Sequence, residues 1–153
     1  MDAVVAQAMA KWPAVPAVYV WLSLDRRGNW LIKGERITNQ ALRDFIARNY
    51  EADDEGRWYF QNGPQRVYAT LAYTPLVVHH EGESLIDQCG RLFPAERAYL
   101  DDEGSVLLEA AGRIALLDDR DLERYADEER RLEPIARGEV AGRFGFVPEP
   151  RPG

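Results

Sequence analysis

The sequence predicts an α+β fold: an antiparallel sheet, or two small sheets, built from β-hairpins, with two or three short helices packed on one face. Three observations carry this. First, a turn phrase recurs at Asp25-x-x-Gly28, Asp53-x-x-Gly56 and Asp101-x-x-Gly104, each followed by an apolar run and a second glycine (Gly34, Gly63, Gly112). Aspartate caps such a turn through its side chain and glycine tolerates the bend, so each copy reads as a hairpin. Second, runs of alternating apolar residues flank the turns. Third, two later segments repeat apolar residues at helical spacing.

In chain order, residues 2–11 are helix formers with an acidic start, and Trp12-Pro13 ends that helix, because the residue before proline avoids the α region. Residues 17–24 form a strand whose faces are both largely apolar, with Val18, Val20, Leu22 and Leu24 on one side and Tyr19 and Trp21 on the other. A second strand follows over Trp30–Glu35. Thr38-Asn39 caps a helix in which Ala41, Leu42, Phe45, Ile46 and Tyr50 share a stripe, ending between Asn49 and Ala52. Strands over Arg57–Gln61, Arg66–Tyr73 and Leu76–His80 read as a three-stranded meander. The Asn62-Gly63-Pro64 turn inside it should be slightly longer than two residues, since proline follows the glycine. Ser84–Gly90 is ambiguous between short helix and loop. The third phrase gives the hairpin Ala98–Leu100 and Ser105–Glu109, then the strand Arg113–Leu117. Asp118 or Asp119 then caps a helix with Leu122, Tyr125 and Ala126 inward. Phe144 and Phe146 should anchor the tail. The first and third phrases each open a strand–turn–strand–helix unit, a candidate pseudo-repeat.

The 153 residues fit one α+β domain over 1–147, with lobes over 1–80 and 95–147, and a flexible proline-rich tail over 148–153. A chain of this length buries roughly two thirds of its unfolded surface and needs neither metal nor disulfide to fold. The single cysteine, Cys89, excludes an intramolecular disulfide and favours a reducing compartment. No signal peptide or membrane-spanning run is readable, so the expected location is the cytoplasm. The net charge of −7 is uneven: residues 1–50 carry seven basic and four acidic residues, a net of +3, which leaves −10 for the rest. An acidic chain is repelled by phosphate backbones, so nucleic acid is not an expected partner, and neither is a membrane.

Chemistry-bearing motifs are sparse. His79 and His80 are neighbours in a strand and point to opposite faces; with Glu81 they offer two ligands on one face and no third, so no metal is expected. Cys89 sits in no nucleophile motif and reads as an inert thiol. No phosphate loop or serine elbow occurs, and no cofactor is expected. The carboxylate clusters at 53–55, 101–103 and 118–119 lie at turns and caps, where acids belong for local reasons. What remains is aromatic surface beside arginine, the composition of recognition hot spots. The binding candidates are Tyr19, Trp21, Arg36, Trp58, Phe60 and Arg66.

Two stretches, Trp21 through Tyr50 and Gly56 through Tyr68, together with the Asp118–Leu122 segment and the Arg143–Pro148 tail, resemble a family of small uncharacterised proteobacterial proteins, a domain of unknown function. The resemblance implies no activity, substrate or functional residue. The expected function is a non-enzymatic cytoplasmic interaction or binding module, with a protein partner or homodimer. The alternative is a small-molecule-binding protein or small enzyme with a site between the lobes, using Arg36, Arg66 and carboxylates. A pocket of converging polar groups favours the alternative and a flat apolar patch the first reading.

Overall fold

The computed structural model describes residues 12–152, and for 126–130 the backbone alone. The helix expected over 2–11 lies outside the described residues, as does the side chain of Ala126. The chain forms two compact units: unit 1 takes in the chain up to Asp25, Asn29–Ala72 and the chain from Val147, while unit 2 is Arg26–Gly28 and Tyr73–Phe146. Each holds a six-stranded sheet. Both sheets are mixed, which corrects the antiparallel expectation. The fold is α+β.

In unit 1 the strands are β1 (Ala17–Leu24), β2 (Trp30–Ile32), β3 (Glu35–Arg36), β4 (Tyr50–Ala52), β5 (Trp58–Asn62) and β6 (Gln65–Leu71), with helix α1 (Gln40–Arg48) between β3 and β4. They lie in the order β3-β2-β1-β6-β5-β4, with β1 and β6 parallel and the other pairs antiparallel. The Asn39 side chain accepts from Leu42 N at 2.9 Å, which satisfies one of the amides left open at the start of α1. Leu42, Ile46 and Ala47 are buried, and Phe45 meets Phe60 edge-on at 5.3 Å. Tyr50 does not continue the helical stripe. It opens β4, pairs with Phe60 and packs edge-on against Trp30. The Asn62↔Gln65 pair closes a two-residue loop with Gly63 at φ 56, shorter than expected, because glycine leads the loop and proline follows with no amide needed there. The tail is tied in: Leu71 N donates to Pro148 O at 2.8 Å and Pro150 is buried.

Unit 2 contains β7 (Leu76–Glu81), β8 (Ser84–Asp87), β9 (Arg97–Asp101), β10 (Val106–Ala110), β11 (Arg113–Leu117) and β12 (Glu133–Ile135), a 3-10 helix η1 (Asp119–Arg131) and helix α2 (Arg137–Phe144). The order is β12-β9-β10-β11-β7-β8, with β11–β7 and β12–β9 parallel. β7 therefore does not complete a meander with β5 and β6. Thr74-Pro75 is the point where the chain leaves one sheet for the other, and Thr74 Oγ1 accepts from Leu116 N at 3.0 Å to fix that crossing. β10 and β11 are buried along most of their length, as strands covered on both faces are. Helix α2 has no counterpart in the sequence reading. Ala136 N donates to Glu139 Oε1 at its start, and Gly145 at φ 68 closes it. Phe146 is buried, and Phe144 meets Tyr99 at 5.6 Å.

The turn phrase is built the same way at its second and third copies. Asp53 Oδ1 accepts from Glu55 N and Arg57 N (2.9 and 3.0 Å), and Asp101 Oδ1 from Glu103 N and Ser105 N (2.9 and 2.8 Å). A fourth copy exists: Asp87 Oδ1 accepts from Cys89 N and Arg91 N at 2.8 and 3.0 Å, with Gly90 at φ 80. This resolves the ambiguous segment as strand and turn. β1-β2-β3-α1 and β9-β10-β11-η1 share chain order, and each has a parallel neighbour on its first strand (β6 on β1, β12 on β9), but the second has another on its last strand, β7 on β11.

Candidate functional site

Unit 2 holds a cleft of about 450 Å³. Its floor is Val77 and Val78 of β7, both buried, with the backbone of Gly28 beside them. Gly28 is φ +82, and a β-carbon there would stand 3.0 Å from Gln88 Cβ and 3.4 Å from Val77 Cβ. Only glycine permits both the bend and this approach. Gln88 is fixed at both ends of its amide: Val77 N donates to its Oε1 at 2.9 Å and its Nε2 donates to Pro75 O at 2.9 Å.

The walls are charged. Asp118 and Asp119 each grip one arginine side-on. Arg120 donates to Asp118 through Nε (2.9 Å) and Nη2 (2.5 Å), and Arg27 donates to Asp119 through Nε (3.1 Å) and Nη2 (3.3 Å). The pairs differ in kind. Arg27 and Asp119 are half-exposed and screened by solvent, so their pairing contributes little. Asp118 is buried and also accepts from Arg120 N, and the Arg120 guanidinium beside it lowers its pKa from the usual carboxylate value. The acid stays ionised and holds Arg120 in one orientation.

The histidines reach the same cleft from the end of β7. His79 lies 3.1 Å from Glu81 through Nε2. His80 ties β7 to η1: its amide donates to Asp121 Oδ2 at 2.9 Å, and its Nε2 is 3.1 Å from the Tyr125 hydroxyl. Burial, helped by the Arg124 charge, lowers the His80 pKa, so its ring is neutral near pH 7. Among the described residues no three His, Cys, Asp or Glu side chains come together as a metal site. Burial, with Asp87 adding to it, pushes the Cys89 thiol up to about 12, far from the thiolate range a nucleophile needs.

The six residues singled out from the sequence lie in unit 1. Phe60 is 0% exposed and Trp58 6%, so both are core residues and offer nothing to a partner. Their rings face α1 and β4, where Tyr50, Phe45 and Trp12 surround them. Tyr19 is half-buried and stacks on Tyr68 at 4.9 Å, 10° from parallel. Arg66 is exposed and lies over Tyr59 at 4.4 Å. Trp21 is half-buried beneath Lys33 Nζ at 4.3 Å, and its indole N–H has no partner among the described residues. Arg36 is exposed on the short edge strand β3. None of the six lines the cleft of unit 2. The cleft of unit 2 escaped the sequence reading because its parts come from residues 27–28, 77–80, 88 and 118–121. From the sequence the Asp118-Asp119 pair reads as a cap, a role Asp118 also fills by accepting from Arg120 N.

Comparison with known proteins gives a family and a fold. The family described as "Protein of unknown function (DUF2946)" matches residues 1–133. No curated protein matches the chain. Among solved structures, a DUF1285 family protein from Silicibacter pomeroyi DSS-3 aligns at 19% identity and a TM-score of 0.56, covering 83% of this chain and 84% of that one. A DUF1285 family protein from Shewanella baltica OS155 aligns at 16% identity and a TM-score of 0.54, covering 71% and 91%. At these identities the likeness is one of fold.

Proposed function

The chain belongs to that family of proteins of unknown function, and we propose that it is a non-enzymatic cytoplasmic binding module that holds a small polar ligand in the cleft of unit 2. One observation carries this: arginine, histidine and aspartate side chains converge, over an apolar floor, on a cavity in the size range of small-molecule sites. The high thiol pKa of Cys89 and the saturated carboxylate of Asp118 support binding without turnover. No helix among the described residues is long and apolar enough to cross a membrane.

Pairing with a partner's strand is a poor alternative, because the outer strands are blunted. β3 is two residues of opposite charge, β4 is three residues, β12 contains Pro134, and the free side of β8 is bridged at Ile86 by Leu92.

Thermal denaturation against a panel of small metabolite-like compounds tests the reading. Compounds that raise the melting temperature of the wild type should raise it less in an Arg120→Ala variant. Hits that stabilise both chains equally would remove the cleft as the site.

A second reading, a protein partner on β1, is favoured by Val20. β1 spends three residues between Val18 and Leu22 where β6 spends one, and Val20 at the bulge has φ 63 and is 61% exposed. A β-branched side chain there is strained, and such strain persists mostly where function uses it. Light scattering at high concentration tests the homodimer form of this reading. A mass of 17.4 kDa would reject it.

A further inference from the structure

Resting on the reading of the unit 2 cleft as a ligand site, we propose that the ligand carries a single carboxylate, gripped by the outer edge of Arg120. A guanidinium has five N–H donors. Arg120 commits Nε and one side of Nη2 to Asp118, and among the described residues its Nη1 has no partner. The side chain is 64% exposed, so this free edge is open to solvent while the buried carboxylate behind it prevents rotation. The edge left over is a parallel pair of donors, the geometry that a planar carboxylate accepts bidentately.

The acceptors of the cleft, by contrast, are largely spent. Both oxygens of Asp118 are taken by Arg120, Gln88 Oε1 by Val77 N, and Asp121 Oδ2 by His80 N. The cleft therefore offers hydrogen bonds and seeks acceptors.

Charge narrows the class further. Arg27 and Arg120 face Asp118, Asp119 and Asp121; Arg124 adds one cation near His80, while Glu83 near His80 and Glu81 beside His79 add two anions, so carboxylates outnumber arginines around the cleft. A dianionic phosphate would meet three carboxylates with no surplus of cations to hold it. A monoanion loses less to that repulsion and keeps the full fork.

The probes are butyrate, its uncharged isostere butyramide, and inorganic phosphate, titrated into the full ¹⁵N-labelled chain with arginine side-chain Nε signals recorded. Butyrate should move the Gly28, Val77 and Val78 amides and the Arg120 Nε–H signal saturably, about tenfold more tightly than butyramide or phosphate. Arg120→Lys keeps the charge and loses the fork, so it should weaken butyrate about tenfold in a chain whose amide spectrum away from the cleft shows it folded. Butyramide or phosphate binding in the cleft as tightly as butyrate would overturn the carboxylate assignment and leave the cleft standing as a site. Wild-type affinity in the lysine variant would overturn the role of Arg120. Silence of the cleft signals with all three probes would overturn the carboxylate proposal, and the cleft itself falls only if the wider compound panel is equally silent there.

Discussion

Two glycines in one turn motif separate backbone strain from packing. Gly28 and Gly104 occupy the same position of the Asp-x-x-Gly turn, both at φ +82, and both belong to unit 2. Alanine at either must enter the left-handed region, at about 1–2 kcal/mol. At Gly104 a β-carbon meets nothing within 4 Å, so the cost ends there. At Gly28 it meets Gln88 Cβ at 3.0 Å and Val77 Cβ at 3.4 Å. Those are atoms next to the backbone and cannot swing aside, and Gln88 is pinned at both ends of its amide. Overpacking of this kind adds about 1–3 kcal/mol. Gly28→Ala should therefore be destabilised by about 2–5 kcal/mol and Gly104→Ala by about 1–2 kcal/mol. Urea unfolding reads both as shifts in midpoint at unchanged slope. Equal losses in the two variants would show that Gly28 is required for its φ alone and that the cleft floor is not closely packed against it.

Three further outcomes follow from the same structure. Asp87→Ala removes the acceptor of two turn amides and should cost about 1–2 kcal/mol, with faster hydrogen exchange at Cys89 and Arg91; unchanged exchange there would refute the fourth turn copy. His80 has a pKa lowered below its usual 6.5, so the unfolded chain binds that proton more tightly: its stabilisation is complete above about pH 6.5 and falls as pH drops below it. His80→Gln should flatten the stability–pH slope between about pH 5 and 6.5, and a slope equal to that of the wild type would assign it to other groups. Cys89, with its thiol near 12, should react with a disulfide reagent at pH 8 about a thousandfold more slowly than an ordinary thiol, and a free-thiol rate would contradict its burial.

What the sequence disclosed and what it concealed divide along sequence separation. Asp53, Asp101 and the Asn39 cap act on amides two to four residues away, and their roles were readable from residue type and spacing. The same signal stood at Asp87-x-x-Gly90, but no apolar alternation follows it, and it was passed over. Helix α2 was hidden by Gly138 and Gly142, poor helix formers that tertiary packing of Val140 overrides. The parallel pairs β1–β6 and β11–β7 join strands tens of residues apart, and nothing local to either strand distinguishes a parallel neighbour from an antiparallel one. The aromatic run Trp58–Phe60 has the composition of a binding surface and of a core alike, and the burial of Phe60 beneath α1 decided for core. The cleft depends on Asp118 reaching Arg120 while Arg27 reaches Asp119, a pairing across 92 positions that no motif encodes.

Native mass spectrometry of the full chain, purified gently from its native host, tests the central claim most directly. The wild type should carry a retained small molecule that is lost from an Arg120→Ala variant whose spectrum shows it folded. A small molecule retained equally by both chains, or a stoichiometric protein in its place, would contradict it.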